Sequence, residues 1–349
     1  MAVRLKDIAR DLGVSVVTVS KVLRNHSDIS LETRRRVLKR MKELNYRPNL
    51  AARALITGRT HTVGLVVPDL LHPFFAQVAK AISGALREKE YGLIISSSED
   101  DPALESREVD QLLARGVDAL IVASTQWSVQ SFRLIEEHNT PYVLVDRSFT
   151  GLAANFVGVD DVAGGVLATE HLLDQGCQRP AHIRGPDVST AVGRLEGYRS
   201  ALLRAGLAPL REHIVSVGVS GDDRGDARGY DAANKLLTAD PMPDGIFCYN
   251  DPVALGVMRA ILERGLRIPE DIAIVGCGNL PYADVLRVPL STIDQKSTDI
   301  GERAGRLAMT LIEADGPQRP ETIVVKPSLV VRASSLRRAP TAIASTSTR

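Results

Sequence analysis

Two rhythms alternate along residues 62 to 332: short β-branched apolar runs, then longer stretches whose apolar positions recur every third or fourth residue. The runs Thr62–Val67, Gly92–Ile95, Ala119–Ala123 and Tyr142–Val145 come first, and Ala181–Ile183, Ile214–Val217, Gly245–Cys248 and Ile272–Val275 follow. Between them, Val78, Ile82, Ala85 and Leu86, or Ala254, Val257, Met258 and Ile261, fall at helical spacing and predict amphipathic helices. Such alternation is the signature of a parallel sheet wound with helices. The pattern predicts two doubly wound α/β lobes of similar size, meeting between Asp146 and Val162, where the rhythm loosens around Gly151 and the pair Asp160-Asp161 opens a new helix. A crevice between two such lobes is a usual place for a small ligand.

Ahead of residue 60 the periodicity is helical. Leu5, Ile8, Ala9 and Leu12 form one face, and Gly13 ends that helix with the dihedral freedom a tight turn requires. Ser15 is placed to cap a second helix, with Val19, Val22 and Leu23 as its buried stripe and Val16, Val17, Ser20 and Lys21 outside. Ser30 caps a third helix, Leu31–Leu44, with Val37, Leu38, Met41 and Leu44 inward and Arg34, Arg35, Lys39 and Lys42 mostly outward. Helix, three-residue turn and helix make a helix-turn-helix, whose second helix enters the major groove by its N-terminal residues. The domain plan is therefore a small all-α head over 1–47, a hinge and linker over 48–60, the α/β body over 61–332, and a tail over 333–349. The tail is rich in Ala, Ser, Thr and Arg, has no apolar period, and reads as disordered.

Charge sharpens this plan. The 349 residues hold 43 Lys and Arg against 42 Asp and Glu, but residues 1–59 alone hold 14 against 5. So basic a segment in a balanced chain is the electrostatic footprint of a nucleic-acid-binding module, because Lys and Arg displace the counterions condensed on phosphates. Cys177, Cys248 and Cys277 lie far apart without metal-ligand spacing, which excludes a disulfide framework or zinc site and predicts reduced thiols in a cytoplasmic protein. No apolar run approaches a membrane span and the amino terminus lacks an export-type apolar core. No cofactor is expected. An α/β enzyme remains an alternative, although the chain has no G-x-G-x-x-G after its first strand, no G-x-S-x-G elbow and no G-x-x-x-x-G-K-[ST] loop. A sugar-binding module without regulatory role is a third reading.

The residues Leu5-Lys-Asp-Ile-Ala-Arg-Asp-Leu-Gly-Val-Ser-Val-Val-Thr-Val-Ser-Lys-Val-Leu23, Asn45-Tyr-Arg-Pro-Asn49 and Ala52-Arg-Ala-Leu55 strongly resemble the lactose-repressor/galactose-repressor (LacI/GalR) family of bacterial transcription factors. The likeness continues in Val67-Pro-Asp-Leu-Leu-His-Pro-Phe-Phe75, Val159-Asp-Asp161, Gly193-Arg-Leu-Glu-Gly-Tyr198, Asn250-Asp251, Ile268-Pro-Glu-Asp-Ile272 and Pro289-Leu-Ser-Thr-Ile-Asp-Gln295. It implies a ligand-controlled repressor that binds double-stranded operator DNA as a homodimer or tetramer, with a periplasmic-binding-protein-like effector domain. By the same resemblance Lys6, Ser15, Val16, Val17, Thr18, Ser20, Lys21 and Arg35 face DNA. Asn49, Arg53 and a minor-groove wedge, Leu55, do so from the hinge. Arg4, Lys21 and Arg24 depart from the usual Thr, Arg and Asn, which touches operator sequence rather than DNA binding. The residues implied to face an effector are His72, Phe74, Asp146, Arg147, Arg194, Asn250, Asp251 and Asn279. Gly276-Cys-Gly-Asn279 replaces a pattern that usually carries an Asp where Gly278 stands. The expectation is a sugar or sugar acid, a larger or anionic ligand held by Arg194 being preferred to a simple neutral hexose.

Overall fold

The computed structural model describes residues 3–23, 26–46, 54, 58–126, 132–217, 225–316 and 318–337. The chain divides into two compact units, Met1–Thr60 and His61–Arg349. In the smaller, helices α1 (Leu5–Leu12), α2 (Val16–Leu23) and α3 (Leu31–Glu43) enclose Ile8, Ala9, Val19, Val22, Val37 and Met41. Gly13 closes α1 at φ 67°, a left-handed conformation that strains any L side chain and leaves glycine unstrained. Ser15 Oγ accepts from the Thr18 N–H at 3.0 Å and Ser30 Oγ from the Thr33 N–H at 3.2 Å, so both helices start where the caps predict. Arg40 ties α3 to α1 through Asp11 at 2.6 Å. Two stripe assignments change. Leu23 and Leu38 are exposed, because Val22 and the pair Val37 and Met41 fill the core and each leucine sits about 100° further round its helix.

The larger unit holds two six-stranded sheets. The first runs β11 (Thr322–Val325), β5 (Asn155–Val159), β4 (Tyr142–Val145), β3 (Ala119–Val122), β1 (Thr62–Val67), β2 (Gly92–Ser97), with every pairing parallel. The second runs β12 (Ser328–Val330), β10 (Ser291–Asp294), β9 (Ala273–Cys277), β8 (Gly245–Cys248), β6 (Pro180–Arg184), β7 (Ile214–Ser216), and only β12 is antiparallel to its neighbour. Alternate residues of β1 feed opposite faces: Val63, Leu65 and Val67 pack with helix α4 (Pro73–Arg87), while Val66 packs with α5 (Pro102–Ala114) and Ile135 of α6 (Arg133–Glu137). The second sheet is covered in the same way by α7 (Asp161–Asp174) and α8 (Ser189–Arg204) on one face and α9 (Gly225–Leu236) and α10 (Asp251–Glu263) on the other. Helix α11 (Ser297–Glu313) returns to the first lobe, where Ile300, Ala304 and Ala308 join the core under α4.

The junction expected between Asp146 and Val162 is thus joined by two others. The chain passes between lobes at 159–161, at 294–297 and at 325–328. Ser334 and Ser335, expected in the tail over 333–349, are packed into the body. Ser334 Oγ accepts from the Ser291 N–H at 2.8 Å and donates to the Ile274 carbonyl at 2.7 Å, and Ser335 Oγ bonds Ser291 Oγ at 2.6 Å and His171 Nε2 at 2.7 Å. Both serines are fully buried. Hydroxyls that satisfy buried backbone groups lack the apolar signature from which the boundary was read. Residues 338–349 lie outside the described residues.

Candidate functional sites

In the head, the packing of α1 and α3 against Val19 and Val22 leaves the start of α2 facing outward. Val16 and Val17 are 45% and 62% exposed. Lys6, Ser15 and Arg35 are also exposed, while Thr18, Ser20 and Lys21 are half-buried. Ser15 and Thr18 bond each other at 2.9 Å as part of the cap, and Lys21 Nζ is paired with the Asp28 carboxylate, which it holds below the usual carboxylate range. Reading a base with Lys21 therefore requires leaving Asp28, whereas the two valines are presented without rearrangement. Asn49, Arg53, Leu55 and the departure at Arg24 lie outside the described residues.

In the body, side chains from both lobes converge at the carboxyl ends of the strands. Asp146 follows β4 in the left-handed region at φ 64°, an uncommon backbone state for a residue other than glycine, and its carboxyl is buried. Burial pushes its pKa up, with Arg147 and then Arg194 opposing the shift. Arg147 sends Nη1 and Nη2 to Asp100 Oδ1, each at 3.1 Å, and Nη1 to the Ser124 carbonyl at 3.3 Å; its buried Nε has no partner among the described residues. From the other lobe, Arg194 on α8 donates Nε to Asp161 Oδ1 at 2.8 Å and Nη1 to the Tyr249 carbonyl at 2.7 Å, with its guanidinium 4.9 Å from the centre of the Tyr249 ring. Burial pushes Asp161 up to about 7, with Arg194 pulling it back.

Two hydrogen-bonding contacts among the described residues link the lobes at this site. The Ser148 N–H donates to Ser189 Oγ at 3.0 Å, and Asn250 Nδ2 lies 3.2 Å from His72 Nε2. Asn250 Oδ1 already caps α10 on the Val253 N–H at 2.9 Å, so its amino group faces the imidazole. Burial, then Arg194 and Arg147, lower His72 to about 4, so the ring is neutral near pH 7. A neutral imidazole has one acceptor nitrogen, and the Asn250 amide and the Phe74 N–H, 3.3 Å from Nδ1, compete for it. Open depressions of about 290 and 680 Å³ lie over α11 and along α8, away from these residues.

His72, Asp146, Arg147, Arg194 and Asn250 are thus brought together, while three other expected residues are not. Phe74 is a core residue, packed edge-on against Phe75 at 5.2 Å. Asp251 is fully buried beneath the 276–280 turn, where it accepts from Thr292 Oγ1 at 2.6 Å and the Leu280 N–H at 2.9 Å. Asn279 Oδ1 accepts from Arg332 Nη2 at 2.8 Å, so it does not stand in for an acceptor missing at Gly278. Nor is Arg194 an unengaged cation awaiting an acid. Asp161 and Tyr249 escaped the sequence reading. The Asp160-Asp161 pair was the available signal: Asp160 Oδ1 caps α7 on the Ala163 N–H at 2.9 Å, which leaves the second carboxylate for Arg194. Among the described residues no helix is long and apolar enough to cross a membrane, and no His, Cys, Asp or Glu cluster could hold a metal ion.

Two family models match the chain: bacterial regulatory proteins, lacI family, over residues 4–49, and a periplasmic binding protein-like domain over residues 169–335. The HTH-type transcriptional repressor PurR of Histophilus somni is 31% identical over 332 residues, 95% of this chain and 98% of its own length. The ribose operon repressor of Halalkalibacterium halodurans is 34% identical over 310 residues, 88% of this chain and 90% of its own. A solved structure of the lac repressor dimer bound to operator and the anti-inducer ONPF matches with a TM-score of 0.85 at 28% identity, over 97% of this chain and 100% of that one.

Proposed function

The chain belongs to the lacI family of bacterial regulatory proteins and is a DNA-binding transcriptional repressor rather than an enzyme, and from that premise we propose that a carbohydrate bound between its two lobes sets its hold on operator DNA. The observation that carries the proposal is the convergence of His72, Asp146 and Arg147 from one lobe with Arg194 and Asn250 from the other. Carboxylates accept from sugar hydroxyls, guanidinium and amide groups donate to them, and neutral His72 does either. The ribose operon repressor supports this ligand class. A ligand that replaces the His72–Asn250 contact changes the relative stability of open and closed lobes, and shifts the population of DNA-competent protein.

On the DNA side, Val16 and Val17 offer apolar contact to thymine methyls, and Arg35 offers a phosphate contact. One three-helix head has too little surface for a high specificity ratio, so the active form in the cytoplasm is a homodimer on a roughly palindromic operator. Gel shift of genomic fragments, with and without pools of sugars, tests the whole reading. A shifted fragment whose affinity responds to one pool supports it; sequence-independent binding that no pool alters rejects it. In the same assay Val17→Ala weakens the selected fragment and leaves the salt slope unchanged. Arg35→Ala weakens all fragments alike and lowers that slope by about one.

A further inference from the structure

We infer that Asp161 is a specificity-determining residue: by pairing with Arg194 it makes the cleft accept a neutral polyhydroxylated ligand and reject the acid or phosphate ester of the same sugar. The inference rests on the carbohydrate reading above and concerns the charge of the ligand.

Three observations carry it. Arg194 is already engaged: its side chain is 4% exposed, its Nε is on Asp161, its Nη1 is on the Tyr249 carbonyl, and its face lies over the Tyr249 ring. An incoming carboxylate or phosphate would have to share this guanidinium with a carboxylate 2.8 Å away, in a site where water screens little. The other guanidinium is engaged as well, since Arg147 is forked onto Asp100 with Asp146 beside it. An anion would add a further negative charge to Asp100, Asp146 and Asp161, which already face Arg147 and Arg194. Sugar hydroxyls add none. They can donate to the carboxylates and accept from Arg147 Nε, which is buried without a partner among the described residues.

The third observation is that packing holds the Asp161–Arg194 pair together. Helices α7 and α8 approach through glycines: a Cβ on Gly193 would lie 2.8 Å from Asp161 Cβ, and one on Gly165 would lie 2.3 Å from the Arg194 carbonyl oxygen. Asp161 therefore cannot swing aside by a slide of its helix. Burial also raises the cost of ionising its carboxyl, which Arg194 offsets. Selectivity of this kind comes from repelling the wrong ligand as much as from holding the right one.

The test uses the full chain and inorganic phosphate as the anion, followed by calorimetry at about pH 8, where Asp161 is ionised. Wild type is expected to show no saturable phosphate binding. Asp161→Asn keeps the shape and frees Arg194, so it should bind phosphate roughly tenfold more tightly or better, and Asp161→Asn with Arg194→Gln should lose that gain. Saturable, Arg194-dependent phosphate binding by wild type, or no gain in Asp161→Asn, overturns the inference. Should Asp161→Asn fail to fold, Asp161→Ser and the wild-type titration still decide it. Ribose against ribose 5-phosphate and glucose against glucuronate form a second arm. Preference for the neutral member supports the inference and preference for the charged member overturns it. Failure of every sugar to bind rejects the carbohydrate reading alone, because the phosphate arm does not depend on it.

Discussion

His182 lies on β6 between the rings of Tyr198 and Phe247, at centroid distances of 5.5 and 4.7 Å, with its Nδ1–H on the Phe247 carbonyl at 3.0 Å. No polar partner meets Nε2 among the described residues, and burial lowers the pKa from 6.5 to about 3. The folded form thus holds a neutral ring, while the unfolded chain takes up a proton below about 6.5. The resulting stability is present above that pH and is lost as pH falls toward 3, with a slope reaching about 1.4 kcal/mol per pH unit. Asp161 and Asp251, raised to about 7 and about 6, run the opposite way: their contribution is present at low pH and lost as pH rises through those values. A comparison of wild type with His182→Phe, which keeps a ring in the stack, cancels the carboxyls. We predict that the difference in unfolding free energy from urea titrations shrinks by about 1 kcal/mol or more from pH 6.5 to pH 5. A difference independent of pH would show that His182 is not held neutral by burial.

At the scale of elements, glycines set how closely helices approach and thus where site residues lie. A Cβ on Gly197 would lie 2.1 Å from the Val162 carbonyl oxygen, whereas one on Gly84, also inside a helix, would meet nothing within 4 Å. Gly197→Ala should therefore destabilise the body by roughly 1–3 kcal/mol and weaken ligand binding by shifting Arg194 from Asp161. Gly84→Ala should be neutral or stabilising by about 0.5–1 kcal/mol. Urea midpoints of the two variants check the contrast, and equal effects would refute it. The same division explains what the pattern of residues reveals. All eight apolar runs are strands in the structure: six lie largely buried inside the sheets, and the edge strands β2 and β7, half-buried or exposed along their length, still carry enough β-branched residues to show. Strand β10 is invisible to that pattern, since Ser291 and Thr292 are buried through hydrogen bonds to Arg332 and Asp251. Strand β5 carries Asn155 and Gly158, and β12 has three residues. Likewise His72, the adjacent pair Asp146 and Arg147, Arg194 and Asn250 come from four separate places in the chain with no local motif to unite them; resemblance supplied them, and it passed over Asp161, whose spacing reads as a second helix-capping carboxylate.

For the whole molecule, charge is divided unevenly: the amino-terminal segment is basic and suited to phosphate attraction, and the remainder is acidic. Regulation requires that operator and sugar favour or oppose each other through the populations of two states, and linkage makes this coupling reciprocal. The most direct measurement is operator affinity of the full chain by fluorescence anisotropy at fixed salt, with and without a saturating neutral sugar. Calorimetry of the same sugar with and without operator accompanies it. The account predicts that sugar changes operator affinity by about fivefold or more and that operator changes sugar affinity by the same factor in the same direction. A sugar that saturates the body and leaves operator affinity unchanged would contradict it.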